Sequence, residues 1–302
     1  MNEATREKLL AVPSGKIDVV LDTDAYNEID DQFAIAYLLH SEEKLNTVAI
    51  YAAPFFNERS SGPKDGMEKS YAEIIKLLEL AGENATPVFK GSESYLPNAD
   101  TPVISPAAED LCRRAQNYTS EHPLYVVAIG AITNIASALL LDPSIAEKTV
   151  VVWLGGHAHH MPSGTREFNM MQDIPAAQVV MGSGVPFVQL PCNGVVSEFT
   201  ISKPELEYWL VGKNPLADYL AKNAILEADS YAAGTPWTRV IWDVTAVAWL
   251  LNDDERFMTG TVVAAPIPES DTYVPNPNGL PMRYVYRINR DALMTDLIRK
   301  LV

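Results

Sequence analysis

Basic residues are scarce: 23 Lys and Arg stand against 39 Asp and Glu, a net charge of −16 over 302 residues. Such a surface repels nucleic-acid backbones and anionic headgroups, which argues against a nucleic-acid polymer or a membrane as main partner. A cation or a ligand of low charge fits better. Cysteine is almost absent, and Cys112 and Cys192 match no metal or redox spacing, so both are expected to be reduced buried thiols of a cytoplasmic protein. Long apolar runs are missing too, apart from Leu124 to Leu141, 18 residues without a charge. That stretch breaks at Gly130 between a β-branched half and an Ala- and Leu-rich half carrying Thr133, Asn134 and Ser137, the texture of a buried strand entering a helix rather than a membrane span. Met1 to Gly15 carries Glu3, Arg6, Glu7 and Lys8 without an apolar stretch, so no signal peptide is expected. With 47% hydrophobic and 21% charged residues the chain is too apolar for bulk disorder.

What is present is an alternation. Ile17–Leu21, Thr47–Ala52, Leu124–Ile129, Thr149–Leu154 and Pro186–Leu190 are compact apolar runs that predict fully buried strands. Helix patterns cover Asp30–His40, Met67–Ala81, Pro106–Tyr118, Ile132–Leu141 and Pro175–Met181. The region Lys203–Asp253 is expected to be helical. Two late strands, Thr261–Ala265 and Met282–Ile288, flank the Pro- and Asn-rich loop Pro266–Pro281, and a helix closes the chain over Asp291–Leu301. The pattern predicts an α/β fold, an open mainly parallel sheet with helices on both faces, in a single domain over residues 1–302. Ligands of such sheets lie beyond the carboxyl ends of the strands, so the loops to inspect are Asp22–Asp31, Ala53–Gly66, Gly130–Asn134 and Gly155–Asp173.

The first of these loops holds Asp22, Asp24, Glu28, Asp30 and Asp31, five acids in ten residues. Helix capping accounts for one or two of them. The rest would repel one another unless a cation neutralises them, and carboxylates without cysteine favour a hard ion, Ca²⁺ or Mg²⁺. An EF-hand is excluded, because Asn27 stands where its glycine belongs and Phe33 where its closing Glu belongs. A phosphatase with Asp22 as nucleophile and Mg²⁺ as cofactor also begins with D-x-D after a strand. Its later paired acids should follow a strand, whereas Asp253-Asp254 follows a helix pattern.

Asp22-Thr23-Asp24 with Asp30-Asp31 resembles the D-x-D-P-G-x-D-D signature of the inosine-uridine preferring nucleoside hydrolase family. Here Ala25-Tyr26-Asn27-Glu28-Ile29 replaces Pro-Gly-x and is two residues longer. Gly130-Ala131-Ile132-Thr133-Asn134-Ile135-Ala136 is similar to the family's G-P-L-T-N-I-A. Gly155-Gly156, Glu167-Phe168-Asn169 and Asp243 follow in family order. The resemblance implies Ca²⁺ held by the carboxylates of Asp24, Asp31 and Asp243 and the backbone carbonyl of Thr133. It also implies that Asp30, Asn57, Glu167 and Asn169 grip the ribose, and that Asp24 is the general base for a water attacking the anomeric carbon. Acids around the ribose would then stabilise an oxocarbenium-like transition state. A homo-dimer or homo-tetramer is the family expectation, with a small nucleoside as partner. Trp242, before Asp243, resembles the purine-selective branch and predicts purine stacking, with Phe55 or Phe56 as a second face. Met161 stands where the family offers an Asn to the sugar.

Two further expectations concern the loops. The longer first loop should bring Tyr26, Asn27 or Glu28 into the pocket wall. His157, His159 and His160 lack a fourth ligand for zinc and are expected beside the pocket, where they could bind or protonate the leaving base. The alternative to the hydrolase is a non-catalytic nucleoside- or sugar-binding relative.

Overall fold

The computed structural model describes residues 1–302. In chain order its strands are β1 (Ile17–Thr23), β2 (Leu45–Ala52), β3 (Val88–Lys90), β4 (Leu124–Ala128), β5 (Thr149–Leu154), β6 (Phe187–Leu190), β7 (Thr200–Ser202), β8 (Thr238–Val240), β9 (Met258–Ala264), β10 (Ile267–Pro268), β11 (Tyr273–Val274) and β12 (Pro281–Ile288). Eight of them form one sheet in the order β3-β2-β1-β4-β5-β6-β12-β9. Neighbours are parallel throughout except β9, which runs antiparallel to β12 at one edge.

Side chains of a strand alternate between faces, and the two cores follow from that. Val19, Leu21, Val127 and Val152 join the core under helices Asp30–Leu39, Pro63–Ala81, Val244–Leu250 and Arg290–Leu301. Val20, Val126 and Val151 join the core under helices Pro106–Ala115, Thr133–Leu141 and Ile174–Gly182. Both faces are covered, which is why these strands are mostly apolar through their middles. No helix is long and apolar enough to cross a membrane.

The chain steps outward from β1 to β2 and β3, then returns to the other side of β1 as β4. The carboxyl ends of β1 and β4 therefore diverge into helices on opposite faces, and a crevice opens between them. The five main apolar runs form the expected strands. The stretch Lys203–Asp253 is not helical throughout. Helices Lys203–Trp209 and Pro215–Ala232 are separated at Gly212, whose φ of 73° is left-handed, and the second starts with Pro215 in its first turn. Gly234 and Pro236 then end the helical stretch, and β8 pairs with β7 before helix Val244–Leu250. Helix Pro63–Ala81 starts four residues ahead of the expected Met67, because Pro63 suits a first helical turn.

Candidate active site

β1 delivers the acids to the crevice. Asp22 is its penultimate residue and Asp24 follows its end; Asp30 and Asp31 open helix Asp30–Leu39. Asp243, distant in sequence, arrives at the start of helix Val244–Leu250, which packs against helix Asp30–Leu39. Carboxylate oxygens of Asp30, Asp31 and Asp243 come within 4.8 Å of one another, and all three residues are at most 3% exposed. Asp24 is fully buried, and neither of its carboxylate oxygens has a hydrogen-bond partner. Gly130 lies against it: a Cβ added there would stand 2.8 Å from Asp24 Oδ1, so the close approach requires glycine.

Burial is the main cause of the electrostatics here. It lifts the Asp22 carboxyl to about 7, against the hydrogen bond from Asn134. It likewise lifts Asp31 to about 7, against the hydrogen bond from Thr23. Asp24 is raised by burial and then by the charge of Asp31, and Asp243 by burial and then by Asp30. After burial, neighbouring carboxylates raise Asp24, Asp30 and Asp243 further, and a dication among them would act in the opposite direction. The donors are all oxygens, as a hard cation requires.

Next to the acids is a cavity of about 180 Å³ lined by Asn27, Glu28, Asp30, Asp31, Trp242 and Asp243. His157, Glu167, Phe168, Asn169, Cys192 and Asn193 line it too. Glu167 caps helix Phe168–Gln172: it accepts from the backbone N–H of Asn169 at 2.9 Å, Gly156 at 2.8 Å and Met170 at 3.0 Å. Burial raises its carboxyl while these bonds lower it. The Asn169 amide donates to the carbonyls of Ile129 and Leu154, both at 3.0 Å, and so ties together the ends of β4 and β5.

Other expected residues lie elsewhere. Thr133 is not part of the lining; its hydroxyl donates to Asp173 at 2.6 Å. Asn57 is half-buried outside the cavity and donates to Asn27 Oδ1 at 2.6 Å. Of the longer first loop, Asn27 and Glu28 line the wall while Tyr26 is 41% exposed. Phe55 is buried in the protein and Phe56 faces solvent, so neither is the second aromatic face; Phe168 lines the cavity in their place. Of the histidines only His157 reaches it. His159 stacks between Tyr273 and Tyr284, and His160 is exposed. Met161 is half-buried against the core, outside the lining. Cys112 and Cys192 are free thiols; Cys192 is buried and lines the cavity, whereas Cys112 is half-buried. Asp22, the nucleophile of the phosphatase reading, is fully buried and bonded to Asn134, with no access for a phosphoryl group.

Phe168, Cys192 and Asn193 were not expected here. Phe168 sits inside the E-F-N triplet, and the loop leaving β6 supplies the other two because β6 ends beside β5 at the same rim. The rule that points to carboxyl ends of parallel strands applied to β6 as well.

Comparison with known proteins agrees with this geometry. Residues 19–280 match the family described as inosine-uridine preferring nucleoside hydrolase. The pyrimidine-specific ribonucleoside hydrolase RihA of Escherichia coli is 26% identical over 265 residues, covering 79% of this chain and 80% of its own. Among solved structures, the plant nucleoside hydrolase PpNRh1 shares the fold with a TM-score of 0.76 at 19% identity, over 94% of this chain and 98% of that one. A purine-preferring ribonucleoside hydrolase from Gardnerella vaginalis gives a TM-score of 0.75 at 19% identity with the same coverage. The family match spans most of the sequence and includes every acid of the crevice, so the chain belongs to the inosine-uridine preferring nucleoside hydrolase family and is an enzyme of ribonucleoside hydrolysis.

Proposed function

We propose that this enzyme hydrolyses purine ribonucleosides in preference to pyrimidine ones and does so with Ca²⁺ bound among Asp24, Asp31, Asp243 and the carbonyl of Thr133. The observation that carries the reading is Asp24, whose two buried oxygens have no partner beside three further buried carboxylates. Leaving them so without a cation would be costly. When bound, Ca²⁺ supplies a positive charge that acidifies water and orients hydroxyl groups.

The chain's own groups do the rest. Asp24 accepts the proton of the attacking water, and no covalent intermediate is required. Asp30, Glu167 and Asn169 bind the ribose hydroxyls, and the carboxylates of Asp30 and Glu167 stabilise positive charge developing on the ring. Asn57 serves the same sugar contact through Asn27, whose side chain it holds. Gly130 leaves room for the Asp24 carboxylate, which lies just behind the residues that line the cavity.

The purine preference is supported by Trp242 and Phe168, two aromatic residues on the cavity wall. A purine ring offers such surfaces a larger face than a pyrimidine does. In this reading His157, which lines the cavity, donates a hydrogen bond to the departing base. Relatives carry names of both kinds, pyrimidine-specific and purine-preferring. The test is kcat/KM on inosine, guanosine, adenosine, uridine and cytidine; equal or better hydrolysis of uridine would overturn the preference. A cytoplasmic homo-dimer or homo-tetramer belongs to the same reading, and light scattering on the purified protein checks the subunit count.

A further inference from the structure

The acids of the cavity differ in depth. Asp30, Asp31 and Asp243 on its floor are at most 3% exposed, whereas the side chain of Glu28 on the wall is 46% exposed. A nucleoside whose ribose reaches the floor presents its base at the level of Glu28 and Trp242. Glu28 is also unlike the floor acids in being paired. Its Oε2 lies 3.0 Å from Arg239 Nη2, and the same guanidinium lies 3.0 Å from Glu227, which in turn pairs with Arg59 at 2.9 Å. Arg239 Nη1 donates to the Tyr231 hydroxyl at 2.7 Å. Arg239 stands on β8, three residues before Trp242, so one short segment carries both the indole and the cation that fixes Glu28. A guanidinium at this distance makes Glu28 a poor ligand for a dication and leaves it a fixed, charged acceptor. Glu28 Oε1 makes no hydrogen bond to the protein.

We propose that Glu28, held on the cavity wall by Arg239, is a specificity-determining residue that accepts hydrogen bonds from the N–H edge of the base and so favours guanine, then hypoxanthine, over adenine. The proposal rests on the hydrolase reading above and deepens it. A carboxylate only accepts. At N1 and C2 guanine offers N1–H and the 2-amino group side by side and hypoxanthine N1–H alone, whereas adenine presents an N1 lone pair there and carries its amino group at C6, on the other side of N1. A hydrogen bond to a charged group against an unpaired one is worth about ten- to a hundredfold in kcat/KM. The segment that supplies Glu28 is the one that departs from the family's Pro-Gly turn.

The experiment measures kcat/KM for guanosine, inosine, adenosine and p-nitrophenyl riboside, whose leaving group carries no N–H. The intact protein, Glu28→Gln and Arg239→Met are compared. The intact protein should prefer guanosine to adenosine at least about tenfold. In Glu28→Gln the guanosine-to-adenosine ratio should fall at least about tenfold, since glutamine can donate to adenine N1. Arg239→Met should lower the same ratio mainly through KM for guanosine. A merely structural role would depress all four substrates together and leave the ratios within twofold, and that result overturns the proposal. Glu28→Gln keeps the shape of a half-exposed side chain, so the test stands even where Arg239→Met fails to fold. Hydrolysis of none of the four by the intact protein with Ca²⁺ overturns the hydrolase reading and this proposal together; hydrolysis with unmoved ratios overturns this proposal alone.

Discussion

Asn134 fastens the floor of the site, and replacing it should have a large and calculable effect. Its side chain is fully buried. Nδ2 donates to Asp22 Oδ1 at 2.7 Å and to the Ala52 carbonyl at 3.4 Å, while Oδ1 accepts from the backbone N–H of Ser92 at 2.7 Å and the Ser92 hydroxyl at 2.8 Å. One amide thus joins the ends of β1 and β2 to the loop after β3. Asn134→Leu keeps the volume and removes all four bonds. Asp22, whose Oδ2 already has no partner, would lose its remaining one, and the Ser92 N–H would be stranded. A lost bond to a charged acceptor and a buried unpaired donor together cost about 3–5 kcal/mol. A chain of 302 residues unfolds with an entropy near 0.6 kcal/mol per kelvin, so the midpoint should fall by about 5–8 °C. Circular dichroism melts at fixed Ca²⁺ measure this, with Ser92→Ala as a milder companion that loses only the hydroxyl and about 1 kcal/mol. A melt of Asn134→Leu within 1 °C of the intact protein would refute the accounting.

Gly130→Val would drive a Cβ to 2.8 Å from Asp24 Oδ1 and should lower kcat by about 10² or more with far-UV circular dichroism unchanged; full activity would show that Asp24 is not confined there. Trp242→Ala should cost about tenfold on inosine and much less on uridine, and an equal loss on both would mark the indole as packing only. His159 carries a pH dependence. Burial holds its imidazole below the usual 6.5, against the Gln189 contact at 2.8 Å, so the neutral ring stabilises the fold above pH 6.5 and that contribution is lost as pH falls through the depressed value. Stability of His159→Phe should fall less as the pH is lowered from 6.5 than that of the intact protein in denaturant titrations; parallel curves would place the titrating group elsewhere.

The elements readable from the sequence were those whose physics is repetitive. The main strands carry apolar side chains at most positions because both faces are buried, and an acid cluster at the end of β1 is too costly to be incidental. β3, β7 and β8, at three residues each, are too short to repeat the two-residue alternation of a strand. The wall of the cavity was less legible than its floor. His157 and His159 differ by two residues in an irregular loop, and nothing in their spacing tells that one lines the cavity while the other enters an aromatic stack. Phe168 was hidden by its neighbours Glu167 and Asn169, whose backbone-capping and strand-tying bonds place its ring on the cavity wall. The family resemblance implies a sugar contact for Asn57, yet its partner is Asn27, a residue of the longer first loop that departs from the family pattern.

The most direct test of the account is the release of base from inosine before and after chelation. Purified protein is incubated with inosine in the presence of Ca²⁺, then stripped with a chelator and reconstituted, and free hypoxanthine and ribose are quantified by chromatography. The account predicts equal amounts of hypoxanthine and ribose, loss of both on chelation, and recovery when Ca²⁺ is returned. Undiminished release from the metal-stripped protein, or no release with Ca²⁺ present, would contradict it.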